Sequence, residues 1–107
     1  CKEIDLPLLP GVSSGSEVMQ ASNDGFSFLK LFPAEAVGGI SLLKGFAGPF
    51  IDIKFCPTGG ITIESAPDFL ALSNVPVCGG TWLTPKKLIE KKNWSAITKL
   101  AKQAKSI

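Results

Sequence analysis

The sequence contains no histidine and no arginine, and each absence closes off a class of chemistry. Without histidine there is no Ser–His or Cys–His nucleophile pair, and none of the usual histidine-rich zinc sites, unless another chain supplies the residue. Without arginine the chain cannot grip a phosphate bidentately. No run of 18 or more apolar residues occurs, so no transmembrane helix is expected. The N-terminus lacks the basic, apolar and small-residue regions of a signal peptide, and a soluble cytoplasmic protein is the default expectation. The chain opens on Cys1 and not on methionine, as a processed or truncated product would. Cysteine is scarce: Cys1, Cys56 and Cys78 are widely spaced and form no CxxC pair, which argues against a zinc ribbon or a redox dithiol. Cys56 and Cys78 are expected to be small, reduced, buried residues near strand ends. Charge is sparse as well. At 19% charged residues the chain lies below the roughly 25% of a typical soluble domain, so some apolar surface is expected to meet a partner.

What charge there is has a pattern. All eleven basic residues are lysines, and the net charge is +2. Six lysines fall between Lys86 and Lys102, with Lys105 just beyond, mostly on the last predicted helix. A solvated helix face accounts for them better than a nucleic-acid site. Neither a nucleic-acid nor a membrane partner is expected. The length of 107 residues suits one domain, residues 1–107, with no linker or low-complexity tract to divide it.

Four apolar stretches recur, Leu6 to Val12, Phe26 to Phe32, Phe50 to Cys56 and Val75 to Gly79, each followed by glycine or proline and then an amphipathic segment. Their starts lie roughly 20 to 25 residues apart, too far for hairpins and suited to strand–loop–helix units of a parallel sheet. Ser13 or Ser14 is placed to cap a first helix through Glu17, Val18 and Met19. Pro33 sits where a second helix can begin, since its missing N–H costs nothing in a first turn. Thr62 or Ser65 is placed to cap a third, with Phe69, Leu70 and Leu72 inward. Asn93 caps the last, in which Ile97, Leu100, Ala101 and Ala104 follow helical spacing. The order βαβαβαβα means an α/β fold with a parallel sheet, either half of a closed barrel or a small open doubly wound sheet.

Lys30 is the candidate nucleophile. On a strand, Phe28, Lys30 and Phe32 share one face and Leu29 and Leu31 the other. A lysine between two phenylalanines is partly desolvated, which leaves more free amine for attack on a carbonyl. From spacing alone the simpler account is a strand-end lysine whose head reaches water over an apolar wall. Pro57-Thr58-Gly59-Gly60 and Cys78-Gly79-Gly80-Thr81 place paired glycines after successive strands, where backbone N–H groups can cradle a phosphate or merely make tight turns. Glu35 falls in the predicted first turn of the second helix, where a negative charge is favoured anyway; a direct catalytic role is the lesser reading. Asp52 and Lys54 are expected near the start of their strand, the non-catalytic end in a barrel enzyme.

Taken together, these segments resemble the 2-keto-3-deoxy-6-phosphogluconate (KDPG) aldolase and 4-hydroxy-2-oxoglutarate aldolase family. Leu8-Leu9-Pro10-Gly11-Val12 resembles its strand 5 motif. Phe28-Leu29-Lys30-Leu31-Phe32-Pro33-Ala34-Glu35-Ala36 resembles the strand 6 signature, in which the lysine forms the Schiff base. Ala47-Gly48-Pro49-Phe50 and Phe55-Cys56-Pro57-Thr58-Gly59-Gly60-Ile61 resemble the approach to strand 7 and its loop, and Cys78-Gly79-Gly80-Thr81-Trp82-Leu83 resembles strand 8, where serine is common in place of Thr81. The resemblance runs from about Leu6 to Ala104. It implies a (β/α)₈ TIM barrel of which this chain supplies the last four βα units, strands 5 to 8, assembled as a homotrimer. It implies metal-free and cofactor-free cleavage of a phosphorylated keto acid, KDPG, to pyruvate and glyceraldehyde 3-phosphate. Lys30 would be the nucleophile, Phe32 and Thr58 would contact the keto acid, and Gly59, Gly60, Gly79, Gly80 and Thr81 would hold the phosphate. The family's general acid/base glutamate and phosphate-binding arginine belong to the N-terminal half of the barrel and have no counterpart here. The chain alone is therefore expected to be inactive or nearly so. The remaining alternatives are 4-hydroxy-2-oxoglutarate cleavage and a non-catalytic phosphate-binding half-barrel that pairs with itself.

Overall fold

Three short strands, β1 (Gly11–Val12), β2 (Phe28–Leu31) and β3 (Lys54–Pro57), pair in parallel in that order in the computed structural model, which describes residues 1–107. The register sets Gly11 opposite Lys30 and Lys30 opposite Cys56. Alternation along the strands then sorts the side chains. Leu29, Leu31 and Phe55 point to one side and are fully buried, while Phe28, Lys30 and Cys56 point to the other.

Helices cover only the first side. Val18 and Ala21 of α1 (Gly15–Asn23), Leu43 and Phe46 of α2 (Gly39–Ala47), and Ala66 and Phe69 of α3 (Ala66–Leu70) complete the core. Phe46 stacks on Phe55 at 5.6 Å between ring centroids and meets Phe50 edge-on at 5.5 Å. Asn74, the one buried polar side chain, donates to the Leu43 carbonyl at 3.0 Å and so ties α2 to the segment after α3. An open doubly wound sheet would carry helices on both faces. This architecture is a partial α/β fold with one bare face.

The first helix starts as expected, whereas Ser65, at the N-cap of the third, makes no side-chain capping hydrogen bond to it. Ser14 Oγ accepts from Glu17 N at 3.3 Å, and the Glu17 carboxylate accepts from both Ser13 and Ser14 hydroxyls. Thr62 and Ser65 bond each other reciprocally ahead of α3, and Phe69 is buried with Leu70 and Leu72 half-buried. The second helix does not begin at Pro33 but at Gly39. The Ala34 and Glu35 N–H groups donate to the carbonyls of Thr58 and Gly59, at 2.8 and 3.1 Å, and Gly38, at a φ of +130°, lies outside helical geometry.

Val75 to Gly79 does not form a full strand. It is reduced to a single parallel bridge between Thr58 and Gly79, with hydrogen bonds from Phe55 N to Asn74 O at 2.8 Å and from Gly79 N to Pro57 O at 2.9 Å on either side. Pro76 between them has no N–H to donate, and no strand lies beyond to complete the ladder. The stretch from Leu6 is likewise strand only at Gly11–Val12, with Leu6, Leu8 and Leu9 exposed.

The C-terminal helix α5 (Trp94–Lys105) is capped by Asn93, whose Oδ1 accepts from Ala96 N at 3.2 Å. The lysine cluster is not mostly on it. Lys86 and Lys87 belong to a separate short helix, α4 (Lys86–Glu90), Lys91 and Lys92 to the connection, and only Lys99, Lys102 and Lys105 to α5. All seven are exposed, and Lys86–Glu90 at 3.7 Å is the one ion pair of the chain. No residue of α5 is fully buried; Ile97, Leu100 and Ala104 are half-buried. No helix is long and apolar enough to cross a membrane.

Candidate active site

Lys30 stands on the central strand, third of its four residues, on the bare face. Its ammonium lies 5.1 Å from the centroid of the Phe32 ring, a cation–π contact. The side chain is half-buried, and Phe28 and Phe32 beside it are 40% and 51% exposed. The apolar wall foreseen around the lysine is therefore present but uncovered. None of the three surface cavities reaches Lys30; the largest, about 490 Å³, lies among Cys1, Lys2, Leu6, Leu8 and Phe26.

The loops after the strands gather at the same end as Lys30. Thr58 follows β3, donates its N–H to the Leu31 carbonyl at 2.9 Å, and is bridged to Gly79. A β-carbon at Gly79 would come within 2.8 Å of Thr58 Oγ1, so glycine is what lets the two loops meet. Gly59 and Gly60 have φ of +105° and +77°, a region that disfavours side chains. A β-carbon on Gly59 would lie 3.1 Å from Pro33 Cα and 3.3 Å from the Phe32 ring. The Gly59-Gly60 loop thus rests directly on the residues that follow the lysine strand. A β-carbon on Gly80 would overlap the Trp82 ring. Thr81 is exposed and opens a 3-10 turn, Thr81–Leu83. Lys30, Phe32, Thr58, Gly59, Gly60 and Gly79 are thus brought together, and Gly80 and Thr81 follow Gly79 along the chain.

One neighbour was given no place in the site from the sequence. Cys56 is the register partner of Lys30 on the same face, and its sulfur lies 3.9 Å from Thr58 Oγ1. Alternation within Phe55-Cys56-Pro57 carried that signal, but only the cross-strand register places the thiol beside the amine. Cys56 and Cys78 are half-buried and free, not fully buried as expected: Cys56 lies on the uncovered face, whereas Cys78 packs against the core and lines a surface cavity with Ala66, Leu70 and Trp82. Burial pushes the Cys78 thiol above its usual range, and the neighbouring Cys56 adds to the rise. Lys54, at the start of β3, donates to the Ser73 carbonyl at 2.9 Å, far from the loops. No group of three or more potential metal-ligating side chains occurs.

The model of the aldolase family described as KDPG and KHG aldolase matches residues 1–100. The chain belongs to that family. It is 48% identical over 100 residues to 2-dehydro-3-deoxy-phosphogluconate aldolase of Pseudomonas aeruginosa, an alignment covering 94% of this chain and 46% of that protein. Among solved structures, the KDPG aldolase of Legionella pneumophila, with pyruvate captured at low pH as a covalent carbinolamine intermediate, superposes with a TM-score of 0.87 at 47% identity, covering 90% of this chain and 47% of that one. The 2-keto-3-deoxy-6-phosphogluconate aldolase of Zymomonas mobilis with 3-phosphoglycerate gives a TM-score of 0.86 at 39% identity, over 96% and 48% of the two chains. The chain spans about half the length of the curated aldolases it matches.

Proposed function

We propose that this chain is the lysine-bearing half of a class I aldolase that cleaves KDPG to pyruvate and glyceraldehyde 3-phosphate, residues 1–107 supplying strands 5 to 8 of a TIM barrel. The observation that carries the reading is the place of Lys30. It is the one lysine on the bare face of the central strand, against the Phe32 ring and toward the strand end from which the two glycine loops leave. Helices on one face only, over a parallel sheet, suit a barrel wall whose inner side awaits the opposite wall. A carbinolamine is the adduct of an amine and a carbonyl, so the Legionella aldolase's captured intermediate supports an amine nucleophile in this family.

In this scheme Lys30 Nζ adds to the C2 ketone, and the carbinolamine loses water to an iminium. The iminium draws the electrons of the C3–C4 bond as it breaks, while the C4 hydroxyl loses its proton and becomes the aldehyde of glyceraldehyde 3-phosphate. Those electrons rest in a pyruvate enamine, which takes a proton at C3; water then hydrolyses the iminium and frees Lys30. Phe32 and Thr58 flank the keto acid, and Gly59, Gly60, Gly79, Gly80 and Thr81 hold the phosphate. The phosphorylated three-carbon acid in the Zymomonas mobilis structure supports a phosphate-bearing substrate. The proton-transfer groups come from the N-terminal half of the barrel, and the whole assembles as a cytoplasmic homotrimer. Loss of general acid–base help alone lowers a rate by about 10² to 10⁴.

The test is intact-protein mass spectrometry after pyruvate and borohydride, on this chain mixed with the N-terminal half of the Pseudomonas aeruginosa relative. A pyruvyl adduct on the wild type that is lost in Lys30→Ala is the expected result. A wild-type chain with no adduct in a folded complex sinks the aldolase reading.

A further inference from the structure

Glu35 is exposed and has no ion-pair partner, yet its side chain runs between two glycines. A β-carbon on Gly60 would lie 2.7 Å from Glu35 Cβ and 2.8 Å from Cγ, and one on Gly39 would lie 3.2 Å from Glu35 Oε1. The stem therefore rests on the loop after β3, and the carboxylate reaches the first residue of α2. The backbone is pinned on both sides: Glu35 N–H donates to the Gly59 carbonyl at 3.1 Å, and its own carbonyl accepts from Gly38 N at 3.3 Å. Glu35 thus joins the segment leaving the Lys30 strand to the Gly59-Gly60 loop.

We infer that Glu35 is a positioning residue, whose methylene stem holds the Gly59-Gly60 loop at a fixed offset from the lysine strand and so sets that loop's affinity for phosphate. The inference rests on the phosphate-loop reading above. Two successive glycines carry the largest conformational freedom of any dipeptide. Backbone N–H groups bind an anion well only when they are already aimed at it, and ordering them on binding lowers affinity. A packed stem supplies that order in advance. The carboxylate is directed to the start of α2, where a negative charge is favoured, and so presents to the loop its apolar part and not its charge.

Stem and charge are separable by substitution. Glu35→Gln keeps the stem and removes the charge, while Glu35→Ala removes both. Inorganic phosphate is titrated into each protein, mixed with the N-terminal half of the Pseudomonas aeruginosa relative, and followed at the Gly59 and Gly60 amides by nuclear magnetic resonance, with pyruvate–borohydride trapping at Lys30 run in parallel on the same mixtures. The expected result is phosphate affinity lowered about tenfold in Glu35→Ala, affinity close to wild type in Glu35→Gln, and pyruvyl adduct formation equal in all three. Wild-type affinity in Glu35→Ala overturns the inference, and so does tighter binding in both variants, which would mean that the charge alone matters. If the wild type shows no phosphate response at these amides, the phosphate-loop reading itself falls and takes this inference with it.

Discussion

Gly60 shows how little room the neighbourhood of Lys30 leaves. Its φ of +77° already disfavours any side chain, and the space a β-carbon needs is filled by Glu35. Gly60→Ala is expected to destabilise the fold by about 1–2 kcal/mol from the backbone conformation alone, read as a lower urea midpoint. Gly11→Ala is the control. It has nothing within 4 Å of a β-carbon and no positive φ, so its effect should stay within about 0.5 kcal/mol. At this scale the sequence was informative wherever alternation decides orientation. Phe28, Lys30 and Phe32 share a face as Leu29 and Leu31 share the other. It was silent on Cys56 beside Lys30 and on the Glu35 stem, because both depend on how two segments distant in sequence align.

Among the elements, α1 is held at its start by the Ser13, Ser14 and Glu17 cluster. Hydrogen bonds from the Ser13 and then the Ser14 hydroxyl hold the Glu17 carboxyl below its ordinary value of 4.5, against a small opposing effect of desolvation. A carboxyl lowered on folding contributes stability above its unfolded value, and that contribution is lost as pH falls through the folded one. The helical signal of α1 should therefore weaken as pH drops below about 4.5. In Glu17→Gln that acid-dependent step should be missing from a circular-dichroism titration; a wild-type profile in the variant would contradict the assignment. Elements with local start signals were legible in advance: Ser14 and Asn93 cap where their side chains can reach the next amides. The start of α2 was not. There the Thr58 and Gly59 carbonyls take the amides that a helix from Pro33 would have ordered, a contact from another part of the chain. The missing fourth strand has a similar cause, since Pro76 and the lack of a further neighbour leave only one bridge.

For the molecule as a whole, size and surface disagree with a self-contained domain. The accessible surface is 6978 Å², against roughly 5,700 Å² for a compact monomer of this mass. The radius of gyration is 15.4 Å, against about 13 Å for a compact domain of this length. The surplus belongs with the uncovered sheet face and the lightly packed α4–α5 region, where the Trp82 indole N–H is buried without a hydrogen-bond partner. Family membership could be read from motif order, and uncovered apolar surface from the sparse charge, but which sheet face is bare was decided only by the helices lying on the other. The chain by itself is expected to bind a hydrophobic dye such as anilinonaphthalene sulfonate and to associate on sedimentation. Adding the N-terminal half of the Pseudomonas aeruginosa relative should suppress both. Strong dye binding that persists in the mixed sample would show that the face is not where that half docks.

A sheet open on one side also makes stability a matter of mass action. Whatever covers the Phe28, Lys30 and Phe32 face binds the folded chain and not the unfolded one, so its concentration enters the folding equilibrium. A covering partner present at a hundredfold excess over its dissociation constant adds about 2.7 kcal/mol, and dilution takes it away again. The melting temperature of this chain is then a property of the solution it is kept in as much as of its own sequence.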